Sequence, residues 1–262
     1  MFKHLIAELP DLSVFAKILN RRFKGMTLER VEVTVAEKLN VSSKEVKQCL
    51  EGQRLENVSR EGKTLQLHFS ANQVLGIHLM LRGELVSLDV EESPKYQILG
   101  FHFKGGEGFA VVDLQKQATP TLNPPSTKVP DALEMDEAYF LDLLSRKRTN
   151  LKTLMMDQHQ MRGIGNSYAD EILYHAGISP FSIAKAIPVK EAKKLFKSLR
   201  HVLENAIRDI EKENGDELKG ELRDFMRIHG AGIKETAKGE EVLSDRIGGR
   251  KTYFVKSQHL YN

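Results

Sequence analysis

The composition of this chain shifts at the proline-rich stretch ATPTLNPPSTKVP, from Ala118 to Pro130, and the hydrophobic pattern on its two sides differs in period. Proline fixes φ and has no amide proton, so such a run suits neither the middle of a sheet nor the interior of a helix. It holds half of the chain's eight prolines and reads as a semi-rigid linker between two differently built parts. Before it, the runs TLQLHFS, VLGIHLML, ELVSLDV, YQILGFHF and FAVVDL are separated by EGK, ANQ, RG and KGGEG, as antiparallel strands and their turns are. After it, segments near 136–145, 150–157, 166–176 and 190–213 have helical spacing. The last sets Leu195, Leu199, Val202, Ala206 and Ile210 on one face.

Two helices precede the strands. Pro10 and Asp11 open one with Leu12, Phe15, Ile18, Leu19 and Phe23 on its apolar side, and a capping-box pattern from Ser42 to Glu45 opens a shorter one that ends at Gly52. The tail EEVLSDRIGGRKTYFVKSQ returns to strand–turn–strand around GGR. The expected class is α+β: an N-terminal antiparallel β-sandwich with flanking helices, then a helical part ending in a hairpin. The length of 262 residues allows two modest domains, and 40% hydrophobic with 29% charged residues is a globular composition. No apolar run approaches the roughly 18–20 residues of a membrane span, and the start has no signal-peptide pattern. The single Cys49 excludes an internal disulfide and fits a reducing, cytoplasmic setting. A net charge of +3 permits an anionic partner without arguing for one.

The sharpest local motif is MRGIGNSYADEIL, Met161 to Leu173. Asn166 suits a helix N-cap, with the helix running from Ser167 to His175 and stopping at Gly177. Gly163 and Gly165 before it would expose backbone N–H groups at the positive end of the helix dipole, a ready anion site, and Arg162 would add a phosphate-directed charge. An ordinary capped turn between two helices, or a helix–hairpin–helix, would show the same local pattern.

The wider stretch LKTLMMDQHQMRGIGNSYADEILYHAGISP (151–180) closely resembles the helix–two-turn–helix of the formamidopyrimidine-DNA glycosylase and endonuclease VIII superfamily. ELPDL (8–12) resembles its N-terminal catalytic segment, REGKTLQLHF followed by IHLMLRG its hairpin lysine and the loop after it, and GRKTYFVKSQ (249–258) the end of its finger. LRDF (222–225) also falls in place. The resemblance spans nearly the whole chain. It implies a catalytic-type β-sandwich over 1–118, a linker over 119–132, a helix–two-turn–helix DNA-binding domain over 133–225 and a finger over 226–262. It implies base-excision repair: binding of double-stranded damaged DNA, flipping of the damaged base, and glycosylase or abasic-site lyase chemistry. A monomer without cofactor or membrane association is expected. The alternative is a non-catalytic binder of damaged or bent DNA. A general architectural protein would need stronger net charge.

Residue by residue, the resemblance puts the family's proton-handling glutamate at Glu8 and leaves Ala7 where the family has its nucleophilic N-terminal proline. A peptide nitrogen has its lone pair tied up in resonance. The α-amine of Met1 could lie roughly 20 Å away along an extended segment. Glu8 could still act as a general acid–base, though a glutamate at a helix start is also a favourable dipole partner. Lys63 takes the place of the hairpin lysine, and a lysine is also the standard imine-forming residue. Lys152 and Asn166 match a phosphate-binding lysine and asparagine, and Arg250 the finger arginine. Leu81 falls at a void-filling wedge, whereas the loop of the other wedges reads DLQKQA, leaving Lys116 and Gln117. Val255 and Gln258 stand where the finger's last cysteine pair would be, and His229 and His259 cannot make up a zinc site alone. A zincless finger held by packing, through Tyr253 and Phe254, is therefore expected. The runs Arg146–Arg148 and Lys190–Lys197 are taken as solvated helix faces.

Overall fold

The computed structural model describes residues 7–88, 94–218 and 225–262. It divides into two compact units, one of Met1–Ser126 with Ile210–Leu222, the other of Thr127–Asp209 with Arg223–Asn262. Met1 and Leu222–Asp224 of the LRDF match lie outside the described residues.

In the first unit, α1 (Leu9–Phe23) and α2 (Ser43–Leu50) accompany two four-stranded antiparallel sheets. One has the order β1 (Leu28–Val33), β6 (Gln97–Phe103), β7 (Gly108–Val112), β5 (Glu84–Leu88). The other has the order β2 (Leu55–Glu61), β3 (Thr64–Phe69), β4 (Gln73–His78), β8 (Thr119–Leu122). Val31, Phe101 and Phe109 from the first sheet and Leu65, Leu67 and Ile77 from the second share one core with Phe15, Leu19 and Phe23 of α1. Its aromatic centre stacks Phe23 on Phe103 at 4.8 Å and Phe101 on Phe109 at 4.7 Å. The expected sandwich is there.

Two features depart from the sequence reading. β1 and β2 carry no clean alternation, because each has a register shift near its start, at Leu28/Arg30 and at Leu55/Asn57. The inserted residue puts consecutive buried positions three apart, Leu28 to Val31 and Leu55 to Val58, which hides the period of two. The stretch read as a linker also begins as a strand. Thr119–Leu122 pairs with β4 at the edge of its sheet, where Pro120 can sit without breaking an interior ladder.

The second unit holds α3 (Glu137–Arg146), α4 (Leu151–Met155), α5 (Asn166–Ala176), most of α6 (Val189–Asn214) and a hairpin of β9 (Leu243–Ile247) and β10 (Arg250–Phe254). On α6 the buried stripe runs through Leu195, Leu199, Leu203, Ala206 and Ile210, with Leu203 in place of the expected Val202. α5 stops at Gly177, whose φ of 73° accommodates the left-handed cap, and Ile178 N donates back to Leu173 O at 3.0 Å. No helix among the described residues is long and apolar enough to cross a membrane.

Candidate functional site

In the first unit, α1 lies along β2 and is fastened to it residue by residue. Asn20 exchanges two hydrogen bonds with the backbone of Val58, one at 2.5 Å and one at 2.8 Å. One to two turns earlier on α1, Ser13 Oγ accepts from Arg60 Nε at 2.9 Å, and Arg60 Nη1 donates onward to Gly62 O at 3.0 Å. Moving toward the start of α1 therefore moves toward the end of β2. Glu8, the N-cap of α1, and Lys63, in the two-residue turn after β2, emerge at the same end. Glu8 is buried and forms a capping box with Asp11, whose Oδ2 accepts the Glu8 amide at 2.9 Å. Gly62 takes φ +57°, which starts the hairpin turn that presents Lys63.

His78, unremarked in the sequence, closes this end. It pairs with Thr64 across the β3–β4 ladder, so it stands beside Lys63. Burial holds its imidazole below the usual histidine range, and the Lys63 charge pushes in the same direction. Its Nδ1 accepts the Met80 amide at 2.9 Å, which puts the ring proton on Nε2.

In the second unit the centre is Asp170, wholly buried within α5. Its Oδ1 pairs with Lys152 Nζ at 2.8 Å, and its Oδ2 meets His229 Nδ1 at 2.8 Å and accepts Tyr253 N at 3.0 Å. Lys152 also donates to Thr252 Oγ1 at 2.8 Å and reaches Lys251 O at 3.4 Å. At 1% exposure its ammonium is engaged inside the protein, not offered to a phosphate. Neighbouring Glu171 accepts the backbone amides of Arg227, Ile228 and His229 at 2.8–3.1 Å. Burial nevertheless raises its carboxyl above the ordinary range. The signal for this pair was in YADEIL: two acids within an apolar run must find partners when the helix is buried.

The glycine motif is arranged differently from the expected anion cradle. The helix starts one residue early, with Gly165 as N-cap and Asn166 as its first residue. Asn166 is thus not the cap, and its Nδ2 donates to Lys251 O at 3.0 Å. Gly163, at φ +105°, gives its amide to Gln158 Oε1 at 2.9 Å, and Gln158 Nε2 donates to Ile164 O at 2.8 Å. Arg162 turns back on its own chain, with Nε on Val129 O at 2.7 Å and its backbone bonded to Pro130 and Ala132. The Gly163 amide and the Arg162 Nε are therefore used within the loop. Arg250 differs from these. It opens β10 after the Gly248–Gly249 turn, is exposed, and is followed by the anchored Lys251.

This architecture has relatives. The model of the formamidopyrimidine-DNA glycosylase N-terminal domain matches residues 6–119, and that of the formamidopyrimidine-DNA glycosylase H2TH domain matches residues 128–215. The formamidopyrimidine-DNA glycosylase of Carboxydothermus hydrogenoformans is 30% identical over 94% of this chain and 97% of its own. This chain belongs to the formamidopyrimidine-DNA glycosylase and endonuclease VIII superfamily. The enzyme of the same name from Heliobacterium modesticaldum is 29% identical over 94% of this chain and 97% of its own. Lactococcus lactis Fpg in complex with abasic-site DNA is similar in fold, with a TM-score of 0.84 and 22% identity over 95% of this chain and 98% of that one.

Ala7, which precedes Glu8, is buried in the core of the first unit with its nitrogen in a peptide bond. Beyond β10, Val255 and Gln258 are taken up by the fold. Val255 is buried, Gln258 Oε1 accepts its amide at 2.8 Å, and Gln258 Nε2 donates to Ile178 O at 2.8 Å. Tyr253 meets His229 edge-on at 5.0 Å and Phe254 meets Phe181 likewise at 5.0 Å. Leu81 is 47% exposed on the loop between β4 and β5, and Lys116 is exposed on the loop between β7 and β8.

Proposed function

We propose that this protein binds abasic-site and other damaged duplex DNA and cuts the strand at abasic sites through an imine on Lys63. The observation that carries the proposal is the emergence of Glu8 and Lys63 at one end of the first unit in a superfamily member. The chemistry needs an amine and a proton-handling group. Lys63 Nζ adds to C1′ of the ring-opened abasic sugar, and loss of water leaves a protonated imine. Removal of a C2′ proton by a base then expels the 3′ phosphate, and water releases the lysine. Glu8 serves these proton transfers. Arg250 holds a backbone phosphate, while Lys152 and Asn166 act at one remove by fixing the strand next to it. Ala7 argues against proline-type excision of oxidised purines, since its nitrogen is an amide.

The buried, peptide-bonded Ala7 also favours a second reading, a damaged-DNA binder without chemistry. Strand cleavage on abasic-site duplex separates the two. Wild-type protein should cleave, Lys63→Ala should bind the duplex without cleaving it, and Glu8→Gln should slow cleavage more than it weakens binding. Tight binding by the wild type with no cleavage would leave the binder standing and remove the lyase.

A further inference from the structure

Two histidines of the second unit come together without any part in the site above. His175 lies on α5 and His201 on α6, and their rings stand 4.8 Å apart with 31° between their planes. Around them opens a cleft of about 490 Å³, ample for a tetrahedral oxyanion and some water. Tyr168, Glu171 and His175 line it from one face of α5, at helical spacing. Val202, Ala206 and Met226 form its apolar wall. Arg227 closes it from the segment whose backbone amides Glu171 accepts.

The field in this cleft is positive. Arg227 is exposed at its edge. Lys194, read from the sequence as part of a solvated face, sets its ammonium 3.8 Å from where a Cβ on Gly177 would lie, at the end of α5. Of the two acids that line the cleft, Glu171 has both oxygens on backbone amides and Asp209 is exposed on α6. Partial burial lowers the His175 imidazole below the ordinary histidine range, and His201, Arg227 and Lys194 push it the same way. Such a field repels a cation and holds an anion, which in turn draws protons onto both rings. His201 is also set to donate. Asn205 Oδ1 accepts from Arg208 Nη2, so the Asn205 Nδ2 is the group that meets His201 Nε2, at 2.8 Å. Nε2 therefore accepts, and the proton of the neutral ring sits on Nδ1.

We propose that this cleft binds a phosphate-class oxyanion among His175, His201 and Arg227, with Lys194 adding charge from the end of α5. Glu8, Lys63 and the damaged-DNA reading play no part in it. The oxyanion is either free in solution or a phosphate of a nucleic-acid backbone, since the same charged donors recognise both. Arg227 and Lys194 stay charged throughout, Asp209 opposes binding, and the two imidazoles titrate. A bound anion raises their midpoints above those of the empty cleft. By reciprocity, affinity is highest below the midpoints of the empty cleft and is lost as pH rises through those of the bound one.

The test is imidazole NMR of the whole protein titrated with sulfate, whose charge stays constant across the histidine range, at fixed ionic strength. Wild-type protein should show saturable shifts of His175 and His201, both midpoints raised, and affinity growing as pH falls. His102, in the first unit, should show no saturable shift. Arg227→Gln keeps the backbone amide that Glu171 accepts, so its melting curve should match wild type while sulfate affinity drops about ten-fold. His201→Gln should flatten the pH dependence. An undamaged duplex then separates the sources. Displacement of sulfate by the duplex assigns the anion to a nucleic-acid backbone, and sulfate binding untouched by a bound duplex assigns it to a free oxyanion. Shifts of His175 and His201 that fail to saturate, or sulfate affinity undiminished in a folded Arg227→Gln, would overturn the proposal.

Discussion

His78 shows how much one side chain can fix. Its Nδ1 accepts the Met80 amide while Lys63 stands beside it, so the folded protein favours the neutral ring. The folded value lies below the ordinary value of about 6.5, so the unfolded chain binds the proton more readily. Stability from this group is therefore complete above about pH 6.5 and lost as pH falls through the lowered folded value. NMR of the imidazole nitrogens should show the Nε2–H form and a midpoint below that of a free histidine; a midpoint at or above it would contradict the hydrogen bond to Met80. Arg250 is the opposite case, an exposed side chain expected to act only on DNA. Arg250→Ala should weaken abasic-duplex binding by about 1–3 kcal/mol, as for loss of a charged hydrogen bond, with the melting curve unchanged. Equal affinity in an intact protein would take the finger off the DNA surface. Glu8, Lys63 and Arg250 could be proposed from the sequence because their motifs are local. It did not separate Arg250 from Lys152, since exposure depends on which helix later covers a residue.

At the scale of elements, the C-terminal hairpin is held by a buried carboxylate as well as by the packing of Tyr253 and Phe254. Asp170 fixes β10 through Tyr253 N, Lys152 and His229, and Gln258 ties the following turn to Ile178. Lys152→Ala leaves Asp170 buried without its cation, and breaking such a pair costs about 3–5 kcal/mol. DNA-free protein should accordingly melt well below wild type. An unchanged melting temperature would restore Lys152 as a plain phosphate contact. Gln258→Ala strands the Val255 amide and the Ile178 carbonyl and should cost about 2–4 kcal/mol, whereas a chelator should leave the wild-type curve where it was. Loss of the finger on chelation would show a metal after all. Elements with an unbroken period, such as α5 and α6, could be read from the sequence nearly to the residue. β1 and β2 could not, because their bulges turn a strand's spacing of two into one of three.

The whole molecule is two units, and the chain visits the first of them twice, returning at Ile210–Leu222. Nothing in the sequence marks where that return begins, because Ile210 lies inside the continuous helix α6. The ties that make it, Lys17 to Glu211 at 2.6 Å and Arg21 to Asp216 at 2.8 Å, join residues far apart in the chain. The proline-rich boundary was legible as a change of period, yet its first residues serve as a sheet edge. Both units match the superfamily's family models, Ala7 is internal to the chain, and the central claim is that the amine chemistry belongs to Lys63. Borohydride reduction during incubation with abasic-site duplex tests this most directly, since it freezes an imine as a stable cross-link. The account predicts a protein–DNA adduct with wild type, mapped to Lys63 by peptide sequencing and absent from Lys63→Ala. An adduct of undiminished yield in Lys63→Ala, or none from a wild type that binds the duplex, would contradict it.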